Sequence, residues 1–505
     1  MGAAIRSIIS LGASGMPVDI ECHISNSLPN IVIVGFANKT VDESKERLRG
    51  AFTNSGLKLP KKRISINLAP ADIPKDGSNL DLAIATAILA TDKQLSVLPQ
   101  KNEGFIGELG LDGTIRPVRG IIGKLLSGRQ HNIQRFFIPA DNIEQAQVVP
   151  NIELVPLKNL KELYLHLNNA QPLETIKTDD GIRIETRNAP QQYDIDDIIG
   201  QMQAKRAIEI AAAGGHNVLL SGPPGTGKSM LAKAFTSLLP VLSHEEMLEV
   251  THLHSLAGHE YERLITSRPL RAPHHSASHV SIVGGGNNVR PGEISLSHRG
   301  VLFFDELPEF SRSTIEALRQ PLEDKAITVS RAKESVEYPA NFIFIATANP
   351  CPCGYYGSDK TCECSPHQIN QYRRKLSGPL LDRIDICTNV DIVEHEKLLA
   401  KHSERKTAHE ARQRIAAARG LQAKRYKNNS KLNSDMTNYD LRHLSGLTPS
   451  AKELLDLASQ RLGLSARGYM RSVKVARTIA DLEGSETIET PYISEALQFR
   501  SQNTL

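Results

Sequence analysis

A chain of 505 residues is long enough for about three domains of ordinary size. Hydrophobic residues at 40% and charged residues at 23% match a soluble globular composition and exclude a disordered one. The formal net charge of +4 excludes a uniformly basic nucleic-acid binder, so any DNA contact must come from local basic clusters.

In chain order, Asn30–Gly35 and Arg63–Leu68 read as short strands and Leu80–Thr91 as an apolar helix. Glu103–Gly113 and Arg135–Pro139 bracket a helix near Gly123–Gly128, so residues 1–167 form an α/β or α+β domain. Asn168–Tyr193 is polar, carries Pro172 and Pro190, and is the best linker candidate. Residues 194–392 carry the motifs of an α/β core. Residues 393–505 are helical: Glu404–Tyr426 is basic and alanine-rich, and Ala451–Arg461 and Tyr469–Leu482 show helical spacing. No segment approaches the about 20 apolar residues that span a bilayer. The first residues lack a basic stretch followed by a long apolar run. A cytoplasmic protein without membrane contact is expected.

Asn217–Ser221 reads as a buried strand. It runs into Gly222-Pro223-Pro224-Gly225-Thr226-Gly227-Lys228-Ser229 and then an apolar helix from Met230. Strand, Gly-rich loop and helix stand in the order that phosphate binding needs. The loop lets backbone N–H groups approach phosphate oxygens, and the helix start adds partial positive charge. Lys228 is expected at the β- and γ-phosphates of ATP and Ser229 on Mg²⁺. Gly300–Glu306 is a second apolar strand that ends in two carboxylates, which are costly there without a cationic partner. Asp305 is expected to hold Mg²⁺, and Glu306 to activate the attacking water. A third apolar strand, Phe342–Ala346, leads to Asn349, whose amide is placed to bond both the γ-phosphate and that water; the alternative is a turn-forming Asn before Pro350.

The phosphate loop, the Asp305-Glu306 pair, Asn349 and Leu380-Leu-Asp-Arg-Ile-Asp385 resemble an AAA+ ATPase of the magnesium-chelatase-like branch. Arg271-Ala-Pro-His-His-Ser276, Gly284-Gly-Gly286, Pro291-Gly-Glu-Ile-Ser-Leu-Ser-His298 and Asn349-Pro-Cys-Pro-Cys-Gly354 resemble the ComM (YifB) family over essentially the whole chain. The resemblance implies an AAA+ P-loop core with a parallel sheet, a C-terminal helical lid and a homo-oligomeric ring, a hexamer by family expectation. It implies that Arg383 is an arginine finger acting on a neighbouring subunit's nucleotide. Its alternative is an internal partner for Asp382 or Asp385. Arg467, in Ser465-Ala-Arg-Gly-Tyr469, is similar to the sensor-2 arginine, and Gly200-Gln201 to an adenine-side segment.

Two inserts are expected to meet DNA: Ser267–Arg299, rich in Gly, His and Ser, and a hairpin of Ala326–Ser330 and Ser335–Tyr338 with Arg331 and Lys333 at its turn. Arg331 and Lys333 as plain exposed turn residues is the alternative. The basic run from Lys401 to Lys427 reads equally as a DNA-facing helix or a solvated face. His274-His275 reads as loop polarity rather than a metal site, having no acidic or thiol partner nearby in sequence. Cys351, Cys353, Cys362 and Cys364 are spaced to close a tetrahedral Zn²⁺ shell; free or transiently oxidised thiols are the alternative.

Pro74-Lys-Asp-Gly-Ser-Asn79 and Gly113-Thr-Ile-Arg-Pro-Val-Arg-Gly120 resemble the proteolytic domain of Lon. Asn79 falls at that family's serine position and Ile122 at its lysine position, with Ser78 and Lys124 out of register. A fold of the ribosomal S5 domain 2 type without peptidase activity is therefore expected. The resemblance implies an ATP-dependent helicase that drives branch migration on single-stranded and branched DNA during natural transformation. The alternative is a chelatase-type motor acting on a non-DNA client.

Overall fold

A computed structural model describes residues 5–11, 14–35, 43–71, 75, 78–178, 193–258, 264–286, 289–330, 335–357, 360–376, 378–393 and 406–500. The chain divides into two compact units. One holds residues 1–186, 243–266 and 333–338; the other holds 187–242, 267–332 and 339–505.

The first unit is built on an eight-stranded mixed sheet. Ile5–Leu11 and Ser14–Ser25 form its central antiparallel pair. The strands expected near 30 and 63 run Asn30–Val34 and Arg63–Ala69 and pair in parallel. The apolar helix is Asp81–Thr91, and ten of its eleven residues are buried. A helix apolar all round needs cover all round, and it lies in the main core of this unit. The bracketed helix is Ile121–Gln130. It packs on His244–Ala257, where a Cβ on Gly123 would stand 2.3 Å from the His252 ring.

Two expectations change here. Ile176–Thr178, read as part of the linker, is an edge strand of this sheet, antiparallel to Ile152–Leu157. Three residues are too short for a periodicity to register, and the main-chain pairing recruits them. Residues 243–266, expected inside the 194–392 core, group with the first unit.

The second unit is centred on a five-stranded parallel sheet in the order Leu270–Arg271, Val301–Phe304, Ile343–Ala348, Val218–Ser221, Ile386–Asn389. The three inner strands are buried at every residue, as continuous apolar runs in a covered parallel sheet should be. The helices Met202–Gly214, Lys406–Tyr426, Pro449–Leu462, Ala466–Leu482 and Thr490–Gln498 share one core with it. Burying Arg477 fully within this core requires partners, and it has them: carbonyls of Ser445 and Glu486 at 3.1 and 2.8 Å and Asp481 at 3.0 Å.

One face of the basic helix docks through its arginines, while Arg414, Lys424 and Lys427 remain exposed, so the solvated-face reading holds in part. Arg412 bonds the Ser237 carbonyl and Asp194, Arg414 bonds Glu209, Arg419 bonds the Ala212 carbonyl, and Arg425 pairs with Asp481. These arginines dock the helix on its own unit. Lys401 and Arg405 lie outside the described residues. No helix among the described residues is long and apolar enough to cross a membrane.

Candidate nucleotide site

The carboxyl ends of three adjacent parallel strands carry the site, the position where open α/β sheets bind ligands. Val218–Ser221 leads into the phosphate loop, Ile343–Ala348 into Asn349, and Val301–Phe304 into Asp305 and Glu306. Gly222 begins the loop against the neighbouring strand end; a Cβ there would stand 2.3 Å from the Val390 carbonyl. Gly227, at φ 90°, caps the helix Lys228–Ala234.

The expected side chains come together. Lys228 Nζ donates to the carbonyls of Gly222 and Pro223, both at 2.7 Å, and to Asn349 Oδ1 at 3.2 Å. Burial lowers the Lys228 pKa, while Asp305 and Glu306 act in the opposite sense. Ser229 Oγ donates to Asp305 at 2.9 Å. A hydroxyl and a carboxylate this close are a donor set that would hold Mg²⁺. Bound there, Mg²⁺ would neutralise charge on the β- and γ-phosphates. Gln201 Nε2 donates to the Thr226 carbonyl at 3.3 Å and the Asp391 carbonyl at 2.5 Å, so Gly200-Gln201 borders the phosphate loop.

Thr347 is a candidate site residue that the sequence pattern does not single out. Its hydroxyl donates to Asp305 Oδ1 at 2.6 Å and accepts from the Glu306 backbone N–H at 2.8 Å. It thereby fixes both carboxylate-bearing residues from the adjacent strand. Glu306 has a left-handed backbone, φ 53° and ψ 54°, uncommon for a glutamate. That conformation is sustained at this strand end with the Thr347 bond in place. Threonine in an apolar strand is ordinary, so it carries no sequence signal.

Arg383 and Arg467 form a second cluster. Both reach the carboxylate of Glu323: Arg383 as a close ion pair, Arg467 at 3.4 Å. Arg383 also donates to the Arg319 and Pro379 carbonyls at 3.1 and 2.8 Å. The internal-partner alternative named the wrong acid, since Asp385 pairs with Arg471 instead. Burial pushes the Asp385 carboxyl up, but Arg471 and His216 outweigh it and hold the group well below the usual range. Among the described residues, no hydrogen bond joins Arg383 or Arg467 to Lys228, Ser229 or Asn349. Glu323 precedes Arg383 by sixty positions, and nothing in the sequence marks it.

Arg331 and Lys333 lie outside the described residues, though Ala326–Ser330 and Ser335–Pro339 are both strands. In the 267–299 insert, Arg271 grips Glu293 through two bonds of 2.5 and 2.6 Å. The His274 and His275 rings lie 4.1 Å apart, tilted by 36°, and His274 bonds Ser276 at 2.7 Å. Among the described residues, the group fit to hold a metal through Cys, His or carboxylates is Cys351, Cys353, Cys362 and Cys364.

In the first unit, Ser78 Oγ donates to Glu108, Asn79 Nδ2 to the Ile8 carbonyl at 2.8 Å, and Lys124 Nζ to the Arg119 carbonyl at 2.5 Å. Ser78 and Lys124 thus spend these bonds on other residues, whereas a dyad needs the nucleophile on its base.

Parallel strands with the phosphate loop at the second position from one edge, and acid and amide ligands on the next two strands, define an AAA+ P-loop ATPase core. The family described as magnesium chelatase, subunit ChlI, matches residues 194–398. Companion descriptions of the same subunit match 20–142 and, for its C-terminal part, 405–500. The competence protein ComM of Haemophilus influenzae is 41% identical over 99% of this chain and 97% of its own, and YifB of Escherichia coli is 40% identical over 99% and 97%. Lon protease of Brucella suis is 26% identical over 26% of this chain and 17% of its own. The chain belongs to the ComM/YifB family of magnesium-chelatase-like AAA+ proteins.

Proposed function

We propose that this protein is a cytoplasmic, ring-forming ATPase that translocates on single-stranded and branched DNA and drives branch migration of recombination intermediates. The observation that carries the ring is the separation of parts. Lys228, Ser229, Asp305, Glu306 and Asn349 gather at one site, while Arg383 and Arg467 meet on Glu323 and, among the described residues, share no hydrogen bond with Lys228, Ser229 or Asn349. A site that lacks its arginine is completed when a neighbour supplies one, which ties turnover to assembly. A hexamer is the expected closed ring.

The DNA part draws on likeness to a protein named for competence, 41% identical over nearly the full chain. The physics suits it. Branch migration breaks one base pair as it makes another, so each step is nearly neutral, against about 1.4 kcal/mol of stacking per step if unrepaid. Hydrolysis then supplies direction and passage over mismatches. Arg331 and Lys333, set around a ring, would form a cationic collar on the strand. The proposal also includes a Zn²⁺ ion on Cys351, Cys353, Cys362 and Cys364 and no peptidase activity, with the out-of-register Ser78 and Lys124 as support for the latter.

The test is the ATPase rate with and without single-stranded DNA, run beside strand displacement on a forked duplex. Stimulation with ATP-dependent displacement supports the reading. A rate indifferent to DNA favours a motor of the chelatase type on another client.

A further inference from the structure

Four thiols converge beside the catalytic strand end. Cys351 Sγ lies 3.3 Å from Cys353 Sγ and 3.7 Å from Cys362 Sγ, and Cys353 and Cys362 are 3.5 Å apart. All four sulfurs fall within 4.8 Å of one another, and none is in a disulfide. Zn–S bonds of about 2.3 Å in a tetrahedron place sulfurs about 3.8 Å apart, so the cage has the right size. Backbone N–H groups point at two of the sulfurs, Cys353 N at Cys364 Sγ (3.4 Å) and Tyr356 N at Cys351 Sγ (3.3 Å). Such donors stabilise thiolate charge on a metal.

This loop braces the nucleotide site at two points. Cys351 comes two residues after Asn349, and Asn349 holds Lys228. Gly354, at φ 84°, packs on the phosphate loop: a Cβ there would stand 2.6 Å from Pro224 Cδ. The helix Pro366–Lys375 begins directly after Cys364 and Ser365 and buries Ile369 and Tyr372. Among the described residues from 351 to 364, Cys351 alone is a buried apolar side chain. A loop with so little core needs another source of rigidity, and a metal supplies it.

Resting on the zinc reading above, we infer that the four-cysteine loop is a positioning element for hydrolysis: its ion fixes Asn349 and the phosphate loop in register. Loss of the ion leaves ATP bound but slowly cleaved. Asn349 touches the reacting groups; the cysteines act through it.

Elemental analysis of the full-length protein should find one zinc per chain, and cobalt exchanged into it should show thiolate-to-metal charge-transfer absorption. Cys362→Ser should lose the metal, keep the Kd for a fluorescent ATP analogue within about three-fold, and lower kcat by about 10–100-fold. Asn349→Ala should do likewise with zinc retained. The double variant should be no slower than Asn349→Ala alone, since both act at one step. Gly354→Ala keeps all four thiols and presses on Pro224, so it should retain zinc and show the same kcat-selective loss even if Cys362→Ser does not fold. Absence of zinc and of cobalt absorption overturns the zinc reading itself. Bound zinc with wild-type turnover in Gly354→Ala, or with additive losses in the double variant, overturns the positioning role and leaves the zinc reading standing.

Discussion

Each unit of this molecule buries a lysine, and the two lysines have opposite fates. Lys228 in the second unit faces Asn349, with Ser229, Asp305 and Glu306 around it. Lys124 in the first unit is fully buried, and desolvation draws its pKa from 10.5 down to about 8. A lysine of that pKa is a serviceable general base. Yet its amine bonds the Arg119 carbonyl while Ser78 bonds Glu108. A perturbed pKa marks a functional group only where geometry delivers a reacting partner. In the first unit Ser78 and Lys124 bond to other residues, whereas the second unit keeps its parts together.

The largest effect expected from breaking the comparison is at Arg383. Arg383→Ala should lower turnover by about 10³–10⁵-fold, as loss of an arginine finger does, with analogue binding intact; steady-state rates beside a nucleotide titration check it. Glu306→Gln ranks second, with a loss of about 10²–10⁴-fold as for removal of a general base. Its ATP should remain bound and uncleaved in the assembled particle, read by nucleotide content after gel filtration.

Thr347→Val comes next. It keeps the shape of a buried strand residue but takes one bond from Asp305 and one from the Glu306 backbone. A loss of about 10–100-fold in kcat is expected, the usual cost of removing a group that orients a metal ligand. A rate within two-fold of wild type would remove Thr347 from the site.

The smallest effect belongs to the first unit. The depressed pKa means that folded Lys124 binds fewer protons than the unfolded chain between pH about 8 and 10.5, so stability rises with pH through that window. Lys124→Met should therefore raise the thermal midpoint by a few degrees at pH 7. The gain should shrink toward pH 10. Thermal scans of the full-length chain at both pH values measure it, and ATPase should be unchanged.

Much of the geometry of the candidate nucleotide site was legible in the sequence because its side chains sit at ends of apolar runs. A buried parallel strand announces itself, and the residues just past its carboxyl end form the site, so Lys228, Asp305, Glu306 and Asn349 could be read off. Residues that act from inside a strand, such as Thr347, or across long separations, such as Glu323 toward Arg383, leave no such mark. The arginines of the 406–426 helix misled for a related reason. Charge pattern does not distinguish a cation facing water from one docked on buried carbonyls, as Arg419 is on Ala212. The short strand Ile176–Thr178 was hidden because tertiary pairing, not propensity, forms it.

The claim of completion between subunits is tested most directly by mixing. Glu306→Gln carries the finger without the base, and Arg383→Ala carries the base without the finger. If Arg383 acts on the neighbouring protomer's site, co-assembly of the two inactive proteins restores turnover to about a quarter of wild type, the share of head-to-tail interfaces that combine an intact Glu306 with an intact Arg383. If the mixture is no faster than its components under conditions where they co-assemble, Arg383 serves its own chain and the account is contradicted.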